Sequence, residues 1–237
     1  MIALEQVSKT KNGTRILHDV SFVARPGRVT GFLGPNGAGK TSTLRILLGL
    51  DRAGSGTALV CGRPYRELRR PLRTVGALLD GSGAHRARTA RAHLRWVAVS
   101  NGLPPARAEE VLEVVGLGGD ARKRAGRYSL GMSRRLGLAA ALLGDPEVLV
   151  LDEPVNGLDP AGIRWVRDFL RKRAARGHTV LLSSHLMGEL AETADDVVVI
   201  DKGRIVTQGA LADVVGDHPS LEDAFFALTA SEAGGPW

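Results

Sequence analysis

The stretch that most narrows what this chain can fold into is VTGFLGPNGAGKTSTLRILLGL, from Val29 to Leu50. Its first five residues form a short apolar run of the kind that makes a buried strand. Leu44, Leu47 and Leu48 then recur at helical spacing, which predicts a helix over residues 41–48. Between strand and helix, Gly34-Pro35-Asn36-Gly37-Ala38-Gly39-Lys40-Thr41-Ser42 fits the phosphate-binding loop pattern in the context that pattern requires. Gly37 and Gly39 let backbone N–H groups turn inward around a β-phosphate at the helix N-terminus. Lys40 supplies a point charge for the β- and γ-phosphates, and the Thr41 hydroxyl can ligate Mg2+. The alternative, an ordinary glycine-rich turn before a helix, is argued against by the correct flanks on both sides.

A phosphate loop needs a second strand that carries carboxylates, and Glu147-Val148-Leu149-Val150-Leu151-Asp152-Glu153-Pro154 provides one. Consecutive apolar residues suit a strand buried on both faces, and the acids follow at its carboxyl end, where parallel sheets bind ligands. Asp152 is the candidate for the Mg2+ shell and Glu153 for polarising an attacking water. Acidic residues that end a strand are often only turn formers, so this motif draws its meaning from the loop.

Further strand-like runs are expected over residues 2–7, 15–23, 57–60, 74–79, 179–183, 197–201 and 204–208. From about Thr89 to Leu143 the pattern is helical: TARAHLRWVAVSNG, then PPARAEEVLEVVGL, then a segment starting near Ser129. The expected fold is therefore α/β, a core of β-rich stretches carrying an inserted helical subdomain at about residues 82–143. Residues 116–126, rich in glycine and charge, read as a flexible connection, and the tail from residue 230 to 237 as frayed.

Composition bounds the partners. The single cysteine, Cys61, excludes an internal disulfide framework and fits a reducing compartment. The start, MIALEQVSKTKNG, lacks the features of a signal peptide, and no apolar run approaches the ~18 residues that span a bilayer. If the protein acts at a membrane, a partner must cross it. Eleven Arg or Lys and four Asp or Glu lie between Ser82 and Leu143, a surplus of seven that equals the formal charge of the whole chain. Spacings of three and four place Arg88, Arg91 and Arg95 on one expected helical face, a candidate positive rim with Arg86; a plain solvated face is the alternative. Without a continuous basic block, and with few aromatics for base stacking, no nucleic acid is expected as a partner.

Together these motifs resemble the ATP-binding subunit of the ATP-binding cassette (ABC) transporter family, and the resemblance extends from the first strands to about Thr229. It implies one ABC ATPase domain over residues 1–229: a P-loop NTPase core, an N-terminal antiparallel β subdomain and the helical insertion. In that family the phosphate loop of one subunit closes against a signature segment of another, with ATP and Mg2+ between them. Tyr128-Ser129-Leu130-Gly131-Met132-Ser133 occupies the signature position, so Ser129 and the Gly131 N–H are implied contacts of the opposite γ-phosphate, at the start of a helix over residues 133–143. A serine-capped helix is the plain alternative. Asn156-Gly157-Leu158-Asp159 resembles the family's D-loop, and His185 its switch histidine, which helps hold the attacking water. His18, His85, His93, His178 and His218 read as surface residues.

The chain also departs from the family. Leu130-Gly131-Met132 replaces the usual Gly-Gly-Gln, Asp80 replaces the Q-loop glutamine as a Mg2+ ligand, and Lys11 or a neighbour stands where an aromatic usually stacks on adenine. The SLGM variant, Asp80 and Leu221-Glu222-Asp223-Ala224-Phe225 resemble the drug and antibiotic exporter branch. The resemblance implies a homodimer or pseudo-dimer at the cytoplasmic face of the cell membrane, hydrolysing ATP to drive export through a separate transmembrane permease. A cassette ATPase acting on nucleic acid or ribosomes is the alternative, and a nucleoside kinase or GTPase would leave the Ser129 and His185 segments unexplained.

Overall fold

The structure, a computed structural model, describes residues 1–79 and 81–230. Strands run over Ile2–Lys11 (β1), Thr14–Ala24 (β2), Val29–Leu33 (β3), Ser55–Val60 (β4), Val75–Leu78 (β5), Val148–Asp152 (β6), Thr179–Ser184 (β7), Asp196–Asp201 (β8) and Arg204–Ala210 (β9). Helices occupy Lys40–Leu47 (α1), Pro71–Thr74 (α2), Ala90–Ser100 (α3), Arg107–Val114 (α4), Leu130–Leu142 (α5), Pro160–Ala175 (α6), Met187–Ala191 (α7), Leu211–Val215 (α8) and Leu221–Ala230 (α9). Each expected strand is present. β1 and β2 run further than their apolar pattern because Asn12 and Gly13, at φ 50° and 78°, make the tight turn that suits strand twist, so polar Lys11 still pairs with Thr14.

The chain divides into two compact units, one made of Met1–Glu67 with the chain from Leu170 onward, the other of Leu68–Phe169. In the first, β2, β1 and β4 form an antiparallel sheet in that order. β3 lies between β7 and β8, parallel to both, and β9 pairs antiparallel with β8. All five residues of β3 and all six of β7 are buried, which explains their near-continuous apolar sequence. Phe22 of β2 meets Phe32 of β3 with ring centroids 5.2 Å apart, joining the antiparallel sheet to the phosphate-loop strand. Each fully buried ring contributes about 1.5–3 kcal/mol of apolar burial.

An ionic cluster holds the far end of α1. Asp51 accepts from Lys9 at 2.5 Å and from Arg45 at 3.2 Å, and these partners, the Arg45 hydrogen bond first, hold its carboxyl down at about 2. A carboxyl depressed on folding stabilises the fold above its unfolded value of about 3.8, and the contribution is lost as pH falls through about 2. With a quarter of the Asp51 side chain exposed, the contribution is discounted to about 1–2 kcal/mol. Asp51→Asn is therefore expected to melt below the wild type at neutral pH, with the gap closing between about pH 4 and pH 2; thermal melts across that range check this, and a gap that persists at the acid end counts against it.

In the second unit, β5 and β6 form a parallel pair, with Val75 against Val148 and Leu78 against Leu151. α5 packs tightly on β5 through small residues: a Cβ on Gly137 would come within 2.6 Å of Leu78 Cδ1. Four expectations for this unit are corrected. α5 begins at Leu130 instead of residue 133, because Ser129 caps it by accepting the Met132 N–H at 3.2 Å. The connection over residues 116–126 is pinned: Arg91 N–H donates to Ala121 O, Ala125 N–H to Arg88 O, and Gly126 N–H to Arg86 O. His93 is 5% exposed, since Ala90, His93, Leu94 and Ala98 form the inward face of α3; burial and then Arg88 push its pKa down.

The fourth correction concerns the arginine rim. Thr89 caps α3, so Arg88 lies before the helix, its guanidinium 4.7 Å from the centroid of the Trp96 ring. Arg91 and Arg95 both converge on Glu109 of α4, at 3.2 and 2.6 Å, and so hold two helices together. Helical spacing placed these side chains correctly relative to α3 from Arg91 onward, but spacing does not name the carboxylate across the gap.

Candidate functional site

The phosphate loop is built by its surroundings. Gly34 is buried, and a Cβ there would sit 2.9 Å from Ile200 Cγ2, so β8 leaves room for backbone only. Gly37 is different: nothing lies within 4 Å of a Cβ, but its φ of 84° is one that side chains resist. Gly39 caps α1 at φ 109° with no side-chain bond, and Leu17 Cδ2 would be 2.6 Å from its Cβ. Behind the loop, the Gly203 N–H donates to Ala38 O at 3.0 Å. Leu17 and Ile200 thus wall the loop, a role invisible in the sequence because alternation marks them only as core.

Lys40 is 6% exposed, and its Nζ donates to Gly34 O at 2.5 Å and Pro35 O at 3.2 Å. The ammonium is therefore already turned into the concave side of the loop, held by carbonyls that an incoming phosphate oxygen can replace. Thr41 and Ser42 follow in the first turn of α1, whose N–H groups point back to the loop. Pro35, Asn36 and Gly37 are exposed at the rim, and Ala38 is buried beneath it. Leu33 pairs with Ser184, so Gly34 and the exposed His185 leave adjacent parallel strands at the same end. The structure thereby brings His185 to the phosphate loop.

In the other unit, β6 is buried throughout and ends in Asp152, 6% exposed. Glu153 follows at φ 50°, half-buried, a left-handed backbone that breaks the strand and costs of order 1–3 kcal/mol in a residue with a side chain. The pairing of Leu78 with Leu151 sets the end of β5 beside the end of β6. Asp80, the third expected metal ligand, lies outside the described residues. Ser129 is the α5 cap, and a hydroxyl that accepts one N–H still has a proton to donate. Gly131, in the first turn of α5, presents an N–H with no acceptor inside the helix. The capping reading and the phosphate-contact reading of Ser129 are therefore compatible.

The residues fit the groups they are expected to hold. A loop that excludes side chains at Gly34 and Gly39 and turns a lysine inward matches a phosphate. Among the described residues no cluster of three His, Cys, Asp or Glu is present; a hydroxyl and isolated carboxylates suit Mg2+, which keeps phosphate and water oxygens in its shell.

Residues 17–156 match the sequence pattern of the family described as ABC transporter. The chain belongs to the ABC transporter family. Among its relatives is an uncharacterized ABC transporter ATP-binding protein, YhcH of Bacillus subtilis, 41% identical over 95% of this chain and 74% of that protein. The bacitracin transport ATP-binding protein BcrA of Enterococcus faecalis is 36% identical over 90% of this chain and 70% of its own length. The lantibiotic transport ATP-binding protein SrtF of Streptococcus pyogenes is 33% identical over 88% of this chain and 90% of its own. A solved ATP binding subunit of an ABC transporter superposes with a TM-score of 0.87 at 25% identity, covering 97% of this chain and 99% of that one. The ABC fold expected from the sequence, mixed α/β with an antiparallel and a parallel sheet, is the fold observed.

Proposed function

We propose that this chain is the ATP-hydrolysing subunit of an ABC exporter, dimerising on ATP and driving a separate membrane permease. One observation carries the reading: a phosphate loop with its lysine already turned inward and His185 beside it at the end of the neighbouring strand. Gly34 to Ser42 would hold the phosphates, with Lys40 against the β- and γ-phosphates. Thr41 and Asp152 would hold Mg2+, which when bound offsets charge on the phosphate oxygens. Glu153 polarises the water that attacks the γ-phosphate in line, and His185 helps hold that water. Ser129 and Gly131 serve the nucleotide of the second subunit. Catalysis by such a set comes from positioning and charge, since the reaction needs no covalent partner from the protein.

Among the described residues no helix is long and apolar enough to cross a membrane. Support for export as the task comes from the relatives. The names of BcrA and SrtF tie those relatives to bacitracin and lantibiotic transport, and we take peptide antibiotics as the cargo class. The test is affinity purification of the tagged chain from detergent-solubilised membranes of its own cell. A polytopic membrane protein in stoichiometric amount supports the reading; RNA or ribosomal proteins in its place would favour the nucleic-acid-directed alternative.

A further inference from the structure

Leu130 stands where the family's signature usually has glycine, and the structure shows where its side chain goes. It is 63% exposed, yet its inner edge lies over Gly157: a Cβ on Gly157 would be 2.6 Å from Leu130 Cγ. Gly157 has φ 79°, so this glycine is required both by its torsion and by its neighbour. Gly131 faces the same loop, since its own Cβ would sit 3.0 Å from Gly157 O and 3.5 Å from Leu158 Cδ2. Further along α5, Arg135 makes a second tie of a different kind. Its Nη2 is 3.8 Å from Asp159 Oδ1, its Nη1 donates to Val115 O at 3.1 Å, and its guanidinium lies 5.9 Å from the Trp165 ring centroid. Asp159 Oδ1 in turn accepts the Gly162 N–H at 3.0 Å, at the start of α6. One apolar contact and one ionic contact therefore join the same two segments of the chain.

We propose that Leu130 and Arg135 are positioning residues that fasten the 156–159 segment to the start of α5, so that both are presented to a nucleotide as one piece. The idea rests on the roles given above to Ser129 and Gly131, and goes beyond them because neither Leu130 nor Arg135 has to touch the nucleotide. A glycine at position 130 would leave the hollow over Gly157 unfilled and let the 156–159 segment shift independently. Leu130 replaces that freedom with a steric stop, and the Gly157 Cα is the surface it rests on.

A double-mutant cycle tests the contact. Asn tolerates positive φ better than other side chains, so the effect of Gly157→Asn reports mainly the collision of its side chain with Leu130. Gly157→Asn is expected to lower kcat by about tenfold or more while the ATP affinity of the isolated subunit stays as in the wild type, and the same substitution made in a Leu130→Ala background should cost much less. An equal loss with and without Leu130→Ala, or no loss at all, overturns the proposal. Hydrogen exchange provides a readout that needs no turnover: Leu130→Ala and Arg135→Gln should each speed exchange across residues 156–159 while α5 beyond its first turn remains protected. Unchanged exchange in both variants overturns the proposal, as does loss of protection along the whole of α5. A wild type that fails to hydrolyse ATP would sink the functional reading alone, and the exchange result would still decide this one.

Discussion

Glu153→Gln is expected to bind ATP with unchanged affinity and to hydrolyse it about a hundredfold or more slowly. The substitution keeps the shape and backbone of the side chain, so the left-handed turn after β6, at φ 50°, has no reason to change. Only the carboxylate proposed to polarise water is lost. Deleting a positioned general base removes stabilisation that exists in the transition state and leaves ground-state binding alone, so kcat falls and the dissociation constant does not. Because the phosphate cradle still closes on ATP and hydrolysis no longer opens it, the variant should accumulate as a dimer in the presence of ATP. Light scattering with and without nucleotide, combined with phosphate release, checks both halves. Turnover at the wild-type rate would remove Glu153 from the reaction.

Lys40→Ala should fail at an earlier step, with ATP affinity reduced about a hundredfold and turnover lost. The side chain is 6% exposed and its ammonium is held by Gly34 O and Pro35 O, which sets the charge where the proposed site would receive phosphate oxygens. A charge-assisted bond to such a group is worth roughly 1.5–3 kcal/mol, and ground state and transition state both use it. The same deletion leaves the two loop carbonyls without their ammonium donor, so loosening of the loop could imitate a loss of contact. Lys40→Met separates the effects, because it keeps the packed stem and removes only the charge. Both variants are expected to lose ATP affinity alike in equilibrium titrations, with melting temperatures near the wild type. ATP affinity that survives in Lys40→Met would mean that the lysine supports the loop and does not hold the phosphate.

The phosphate loop was legible because everything that makes it a loop is contiguous: a buried strand, glycines at the required places, a lysine, and a helix, all within Val29 to Leu48. Asp152 and Glu153 could be read for the same reason, as the end of an unbroken apolar strand. His185 was read from its resemblance to the family's switch histidine, and the register of β3 with β7 then set it at the same sheet end as Gly34. What the sequence withheld is every relation between distant segments. Periodicity gave Arg91 and Arg95 a shared face but could not supply Glu109 on another helix. Glycine and charge in residues 116–126 suggested freedom, whereas backbone bonds to residues 86–91 fix that stretch. His93 is instructive in the opposite way, since the period of Ala90, Leu94 and Ala98 already implied its burial and a residue-type expectation overrode it. Likewise the Asn12-Gly13 pair announced the hairpin that carries β1 on to Lys11.

The central claim is that this chain hydrolyses ATP between two copies of itself, or between itself and a close relative. The most direct measurement is the specific rate of phosphate release by the purified wild-type chain, with saturating ATP and Mg2+, over a wide range of protein concentration. A site completed by a second subunit gives a specific activity that rises with protein concentration and then levels off, and Glu153→Gln mixed in at equal amount should depress it. A specific activity that is flat at every concentration, or no phosphate release at all, would contradict the account.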